Sequence, residues 1–181
     1  MKKTAIVFAL VLAATASFAQ KKTTTSGTVT FDATTEKDAL PKADNKTAIA
    51  KLDTKTGEVA FETTIKNFTF ANPKMQEHFN GAGWLDSDKY PTSTFKGMIT
   101  NLKAVNFSKD GTYKADVTGD LTIHGVTQKA STTATLVVAG KKVTSNTAFS
   151  VKLADYKIEN ASLSSGKVST EPKVTVMAEF N

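Results

Sequence analysis

"TYKADVTGDLTI", residues Thr112 to Ile123, decides the fold class. Read in steps of two, Tyr113, Ala115, Val117, Gly119, Leu121 and Ile123 fall on one side. Thr112, Lys114, Asp116, Thr118, Asp120 and Thr122 fall on the other. Successive side chains of an extended strand point to opposite faces, so this stretch is a strand with one buried and one solvated face.

The same period recurs on both sides of it. "KVTSNTAFSVKLA" turns Val143, Ser145, Thr147, Phe149, Val151 and Leu153 inward, and "KVTVMAEF" does so with Val174, Val176, Ala178 and Phe180. "TVTF" (28–31), "TAIAKLD" (47–53), "EVAFETTIKNF" (58–68), "STFKGMITNLKAV" (93–105) and "TQKASTTATLVVA" (127–139) also read as strands. Turn signals separate them at Lys55-Thr56-Gly57, Asp110-Gly111, His124-Gly125 and Gly140-Lys141. Roughly eight antiparallel strands at this spacing predict an all-β sandwich or barrel. The inward faces mix Val, Leu and Phe with Ala, Gly, Thr and Ser. Small residues leave room for a ligand; alternating small and large residues also interdigitate into a filled core.

The chain opens with Lys2-Lys3, the apolar run "TAIVFALVLAATA" and Ser17-Phe18-Ala19. This is the pattern of a secretory signal peptide over 1–19 with cleavage before Gln20, so the 20–181 domain is expected to be exported. Secretion beyond the cell fits the same pattern. No further stretch approaches the length of a spanning helix, so stable membrane insertion is not expected. With no cysteine, the domain depends on a core rather than disulfides. Net charge falls from +6 to +4 once Lys2 and Lys3 are removed. The cations are all lysine, scattered singly along strands, whereas nucleic acid binding calls for a clustered footprint and favours arginine. An outer-membrane barrel would need aromatic girdles, which one Trp and three Tyr do not supply.

"ANPKMQEHFNGAG" breaks the period and predicts a short helix. Asn72 is a good N-cap, Pro73 suits the first helical position and Gly81 suits a left-handed stop. Met75, His78 and Phe79 share one face at i, i+3 and i+4. A helix this short needs tertiary support, so it is expected to lay that face, with Trp84 and Leu85, over one end of the sheets as a lid. His78 and His124 show no metal-ligand spacing, and no metal site or cofactor is expected. Asp86 and Asp88, before Lys89-Tyr90-Pro91, read as turn residues whose side chains bond nearby backbone N–H groups. The enzymatic alternative makes His78 the partner of Asp86 or Asp88 in acid–base catalysis. No nucleophile elbow or phosphate loop is present, and no catalytic residue is assigned.

Two passages carry a family resemblance. "MQEHFNGAGWLDSDKYPTSTFKG" (75–97) resembles the first signature of the YceI-like family of periplasmic lipid- and polyisoprenoid-binding proteins. "GDLTIHGVTQKA" (119–130) is similar to the second. The N-terminal part lacks the histidine common in the family, and no arginine precedes Asp155-Tyr156. The resemblance implies a lipocalin-like antiparallel barrel with a capping helix. The barrel would enclose a polyisoprenoid, an isoprenoid quinone or another long-chain lipid, without catalysis. Phe68, Phe70, Phe95 and Phe149, with Leu121 and Ile123, are then expected in the ligand wall. Met75, His78, Phe79, Trp84, Leu85, Tyr90 and Tyr156 are expected in or beside the cap. A structural β-domain with a filled core is the remaining alternative, and assembly as a homodimer stays open.

Overall fold

The computed structural model describes residues 20–181; the signal-peptide expectation for 1–19 lies outside the described residues. The chain forms β1 (Lys21–Asp32), β2 (Lys42–Asp53), β3 (Glu58–Thr64), β4 (Thr69–Phe70), helix α1 (Pro73–Asn80), β5 (Thr92–Ile99) and β6 (Gly111–Ile123). After these come β7 (Val126–Ala139), β8 (Lys142–Ser150), the single helical turn α2 (Ala161–Ser164) and β9 (Lys173–Phe180). The strands are ordered β1-β9-β8-β7-β6-β5-β3-β2, and β2 pairs back with β1. All these pairings are antiparallel. The result is a closed eight-stranded antiparallel barrel of lipocalin-like form, with the two-residue β4 as an extra rung on β2.

The expected alternation sets the inside and outside of β6. Ala115 and Val117 are buried while Thr112, Lys114, Asp116 and Thr118 are exposed. β6 and β7 pair in continuous register from Gly111↔Val138 to Ile123↔Val126. Their two-residue turn, His124-Gly125, has φ of 51° and 71°, the doubly left-handed geometry that matches strand twist.

Several boundaries differ from expectation. β3 stops at Thr64, where Ile65–Asn67 winds into a 3-10 turn. Leu102–Ala104 and Leu153–Tyr156 do the same beyond β5 and β8. β1 and β2 are much longer than "TVTF" and "TAIAKLD". Their pairing slips between Thr24 and Gly27 and again before Val29, so the inward residues are no longer spaced by two. Asn45, fully buried within β2, holds this irregular stretch. Its Nδ2 donates to the Thr64 carbonyl at 2.8 Å, and its Oδ1 accepts from the Thr47 N–H at 2.8 Å.

α1 begins as expected: Asn72 accepts from the Lys74 N–H at 2.9 Å and Pro73 occupies the first turn. Gly81 does not take the left-handed stop, because its φ is −71°. Its N–H still closes the helix on Glu77 and His78 carbonyls, and the chain reverses later, at Asp86 with φ of 44°.

Each end of the barrel has its own buried cluster. Phe79 of α1, Ile65, Phe68, Phe70, Leu85 and Tyr156 belong to one. Leu52, Ile99, Val138, Val143, Leu136 and Phe180 belong to the other.

Candidate functional site

Between the two clusters lies a cavity of about 190 Å³. Inward residues from strands all around the barrel bound it, among them Val59 and Phe61 from β3, Leu121 and Ile123 from β6, and Val174 and Val176 from β9. A single water needs about 10–15 Å³ by the same measure, so there is room for a chain of carbon groups. Hydroxyls interrupt the apolar wall at Thr63, Ser93, Thr132, Ser145 and Thr147. Thr132 and Thr147 bond each other through Oγ1 at 2.9 Å. Thr63 Oγ1 is buried without a hydrogen-bond partner.

Glycine creates part of this room. Gly97 and Gly119 face each other across the β5–β6 seam. The Phe95 ring lies over both, its Cζ 2.7 Å from where either would carry a Cβ. Side chains at those positions would occupy the space that the ring and cavity share.

The structure places the expected ligand residues in several settings. Phe68, Phe79, Trp84, Leu85, Phe95, Leu121, Ile123 and Phe149 all border the cavity. Phe70, Met75 and His78 do not; with Phe79 and Trp84 they border a smaller cleft of about 60 Å³ beside α1. His78 is exposed and Met75 half-buried, so the helix turns chiefly Phe79 inward. The Tyr90 ring instead meets His124 edge-on at 4.8 Å, and its edge sits over Gly125. Tyr156 is buried in the cap-side cluster, and its carbonyl lies 3.2 Å from His124 Nδ1. Burial first, and the Asp155 charge second, raise the Tyr156 phenol above its usual pKa. Sequence reasoning missed Phe31, Val59, Phe61 and Ile65 on the cavity wall. Extending the alternation of "EVAFETT" inward from Val59 would have found Phe61 and Thr63.

The acidic pair forms its turn in an unexpected way. The Asp86 carbonyl, rather than its carboxylate, accepts from the Lys89 and Tyr90 N–H groups at 3.0 and 2.8 Å. Asp88 is exposed and pairs with Lys66 at 2.6 Å. None of His78, Asp86 and Asp88 borders the cavity. His78→Ala and Asp86→Asn are therefore expected to leave stability within about 0.5 kcal/mol, since asparagine accepts the left-handed backbone at residue 86. Thermal melts check the first point. Product analysis after incubation with lipid checks a second, that neither change abolishes a reaction. Among the described residues, no three His, Asp or Glu side chains gather as a metal site. None of the helices there is long and apolar enough to cross a membrane.

Comparison with known proteins gives a consistent family. The YceI-like domain model matches residues 3–180. Protein YceI of Shigella flexneri is 33% identical over 92 residues, covering 48% of this chain and 44% of that protein. A UPF0312 protein of Vibrio parahaemolyticus is 37% identical over 82 residues, covering 45% and 39%. The matches thus span less than half the length of these relatives. Among solved structures, a polyisoprenoid binding domain from Saccharophagus degradans, implicated in plant cell wall breakdown, superposes with a TM-score of 0.75. It is 13% identical, and the match covers 90% of this chain and 98% of that one. Burkholderia cenocepacia BcnA follows at a TM-score of 0.70 and 18% identity, covering 86% and 96%. At these identities the structural likeness concerns the fold.

Proposed function

The chain belongs to the YceI-like domain family, and from that membership and its internal cavity we propose that it binds a long apolar lipid without altering it chemically. The ligand class is a polyisoprenoid or isoprenoid quinone, held for carriage or storage in the cell envelope. The carrying observation is the apolar cavity between two buried end clusters. A filled structural core does not account for that space. The description of the Saccharophagus domain as polyisoprenoid binding supports the ligand class. The Lys2-Lys3 pair and the apolar run up to Ala19 support delivery to the periplasm.

Burial drives the binding. Hiding ~400 Å² of tail surface contributes on the order of 10 kcal/mol at ~25 cal/mol/Å², and ordering the tail and the wall offsets part of it. The cap-side aromatics and the hydroxyl-bearing wall shape the site, and no side chain has to gain or lose a proton.

The single tryptophan makes the test direct, because Trp84 borders the cavity. A polyprenylated benzoquinone delivered from phosphatidylcholine vesicles is expected to quench Trp84 emission saturably. Native mass spectrometry of protein from its own host is expected to show a co-purified lipid. No quench together with no retained lipid would remove the lipid-binding reading.

A further inference from the structure

The barrel wall is not equally closed around its circumference. β7 and β8 pair only from Thr135↔Asn146 to Ala139↔Lys142, while β8 continues against β9 to Ser150↔Lys173. Val126–Ala134 therefore has no backbone ladder on its β8 side. Side chains bridge the gap instead. Thr132 and Thr147 meet at 2.9 Å, Gln128 Nε2 donates to the Asp155 carbonyl at 2.8 Å, and His124 Nδ1 lies 3.2 Å from the Tyr156 carbonyl. Both lips of this slit border the cavity, Ala130 and Thr132 on one side, Thr147 and Phe149 on the other. Ser131, exposed on the outside, borders it too.

Three other places where the wall could part are braced. β2 parts from β3 beyond Ile49↔Glu62, but Asn45 bonds Thr64, Asn67 bonds Thr47, and β4 pairs with β2 there. β1 parts from β9 beyond Thr28↔Met177, but buried Phe180 backs that gap and the Asn181 N–H donates to the Thr23 carbonyl at 3.3 Å. At the cap end, Phe79 packs on Phe31, Phe68 and Phe70. A ladder opens as a cooperative unit, whereas a few side-chain bonds at a surface part locally and at low cost.

We propose that the slit between β7 and β8 is the portal through which an apolar chain enters and leaves, with the Thr132–Thr147 pair as its latch. The proposal rests on the lipid-binding reading above. Widening the slit breaks no backbone ladder and leaves the cluster at the far end of the barrel, where β7 and β8 stay paired, intact. Small side chains on the β7 lip, Ala130 and Thr132, let a tail slide past toward Leu121 and Val176.

The cysteine-free chain permits a reversible test. The Thr132 and Thr147 hydroxyl oxygens are close enough that sulfurs in their place are within reach of a disulfide. Uptake and release of the polyprenylated benzoquinone are followed by Trp84 quenching in Thr132→Cys/Thr147→Cys. The oxidised form is expected to slow both rates by about tenfold or more, with the same final quench, and reductant is expected to restore them. Thr122→Cys/Thr127→Cys staples the intact β6–β7 seam, where the hydroxyls also lie close at 2.8 Å; its oxidised form should keep the wild-type rates. Thr132→Val/Thr147→Val removes the latch without a cross-link and should speed release. Rates unaffected by oxidation, equal slowing by the control staple, or unchanged release in the valine variant would each overturn the portal. Absence of any wild-type quench would instead strike the lipid-binding reading itself.

Discussion

Replacing Phe79 by alanine is expected to lower unfolding free energy by about 3–5 kcal/mol, with or without lipid. The ring is 6% exposed. It sits 5.4 Å from Phe31, 5.4 Å from Phe68 and 5.0 Å from Phe70, tilted against each. Tilted aromatic contacts at these separations add to the area term. The side chain anchors α1 to β1, β4 and the 3-10 turn after β3 together. A lid poised over empty space would behave differently, losing little stability in the free protein. Phe79 does border the cavity, but three of its neighbours are other rings. For a domain of this size each kcal/mol moves Tm by about 2–4 °C, so a fall on the order of 10 °C is expected in scanning calorimetry of the lipid-free protein. A shift of only a degree or two, with faster lipid release, would restore α1 to the role of a movable lid.

Gly119→Val is expected to cost about 3 kcal/mol or more, at the upper end of overpacking. A Cβ at residue 119 would lie 2.4 Å from the Lys96 carbonyl oxygen, 2.6 Å from Gly97 Cα and 2.7 Å from Phe95 Cζ. The first two neighbours are backbone, so rotating a side chain away cannot relieve them. Gly97 faces the reciprocal constraint from the Thr118 carbonyl oxygen at 2.4 Å. The β5–β6 seam is thus fitted closely enough to require glycine on both strands. Urea titration should show the lower midpoint. Gly140→Ala offers a contrast, since a Cβ there meets nothing within 4 Å and only its φ of 58° opposes the change.

The parts of the fold that can be read directly are those where the pleat runs undisturbed. In β6, β8 and β9, every second residue is apolar or small and lies inward, and the outward ones are mostly polar, with Ala148 and Met177 as the apolar exceptions. β1 defeats the same reading for a specific reason. Its inward residues Thr24, Gly27 and Val29 are separated by bulges, and the first is a threonine. In β2 the inward series runs through Asn45, a polar residue that is buried because it satisfies the irregular backbone around it. The site divides along similar lines. Phe95, Leu121 and Phe149 follow strand parity into the cavity, and Trp84 and Leu85 follow from their place after α1. Tyr90, Tyr156 and His78 do not, because none of them lies on a strand whose parity could be read. Tyr90 precedes Pro91 at a turn, Tyr156 ends a 3-10 turn, and His78 falls on the outer flank of a two-turn helix.

The pairing of β1 with both β2 and β9 has a kinetic consequence. The ring joins the beginning of the domain to its end, with Asp32 opposite Lys173 and Val29 opposite Val176. These contacts span most of the chain, and loop closure over such separations must precede the contacts that reward it. A growing or threading chain that has not yet delivered Lys173–Phe180 has β1 and β8 as open edges, each with unpaired backbone groups. Such edges recruit strands from other chains. The β6–β7 hairpin, with its long register and two-residue turn, is suited to form early and locally. β9 is suited to come last, and its arrival both closes the ring and removes the two exposed edges in one step.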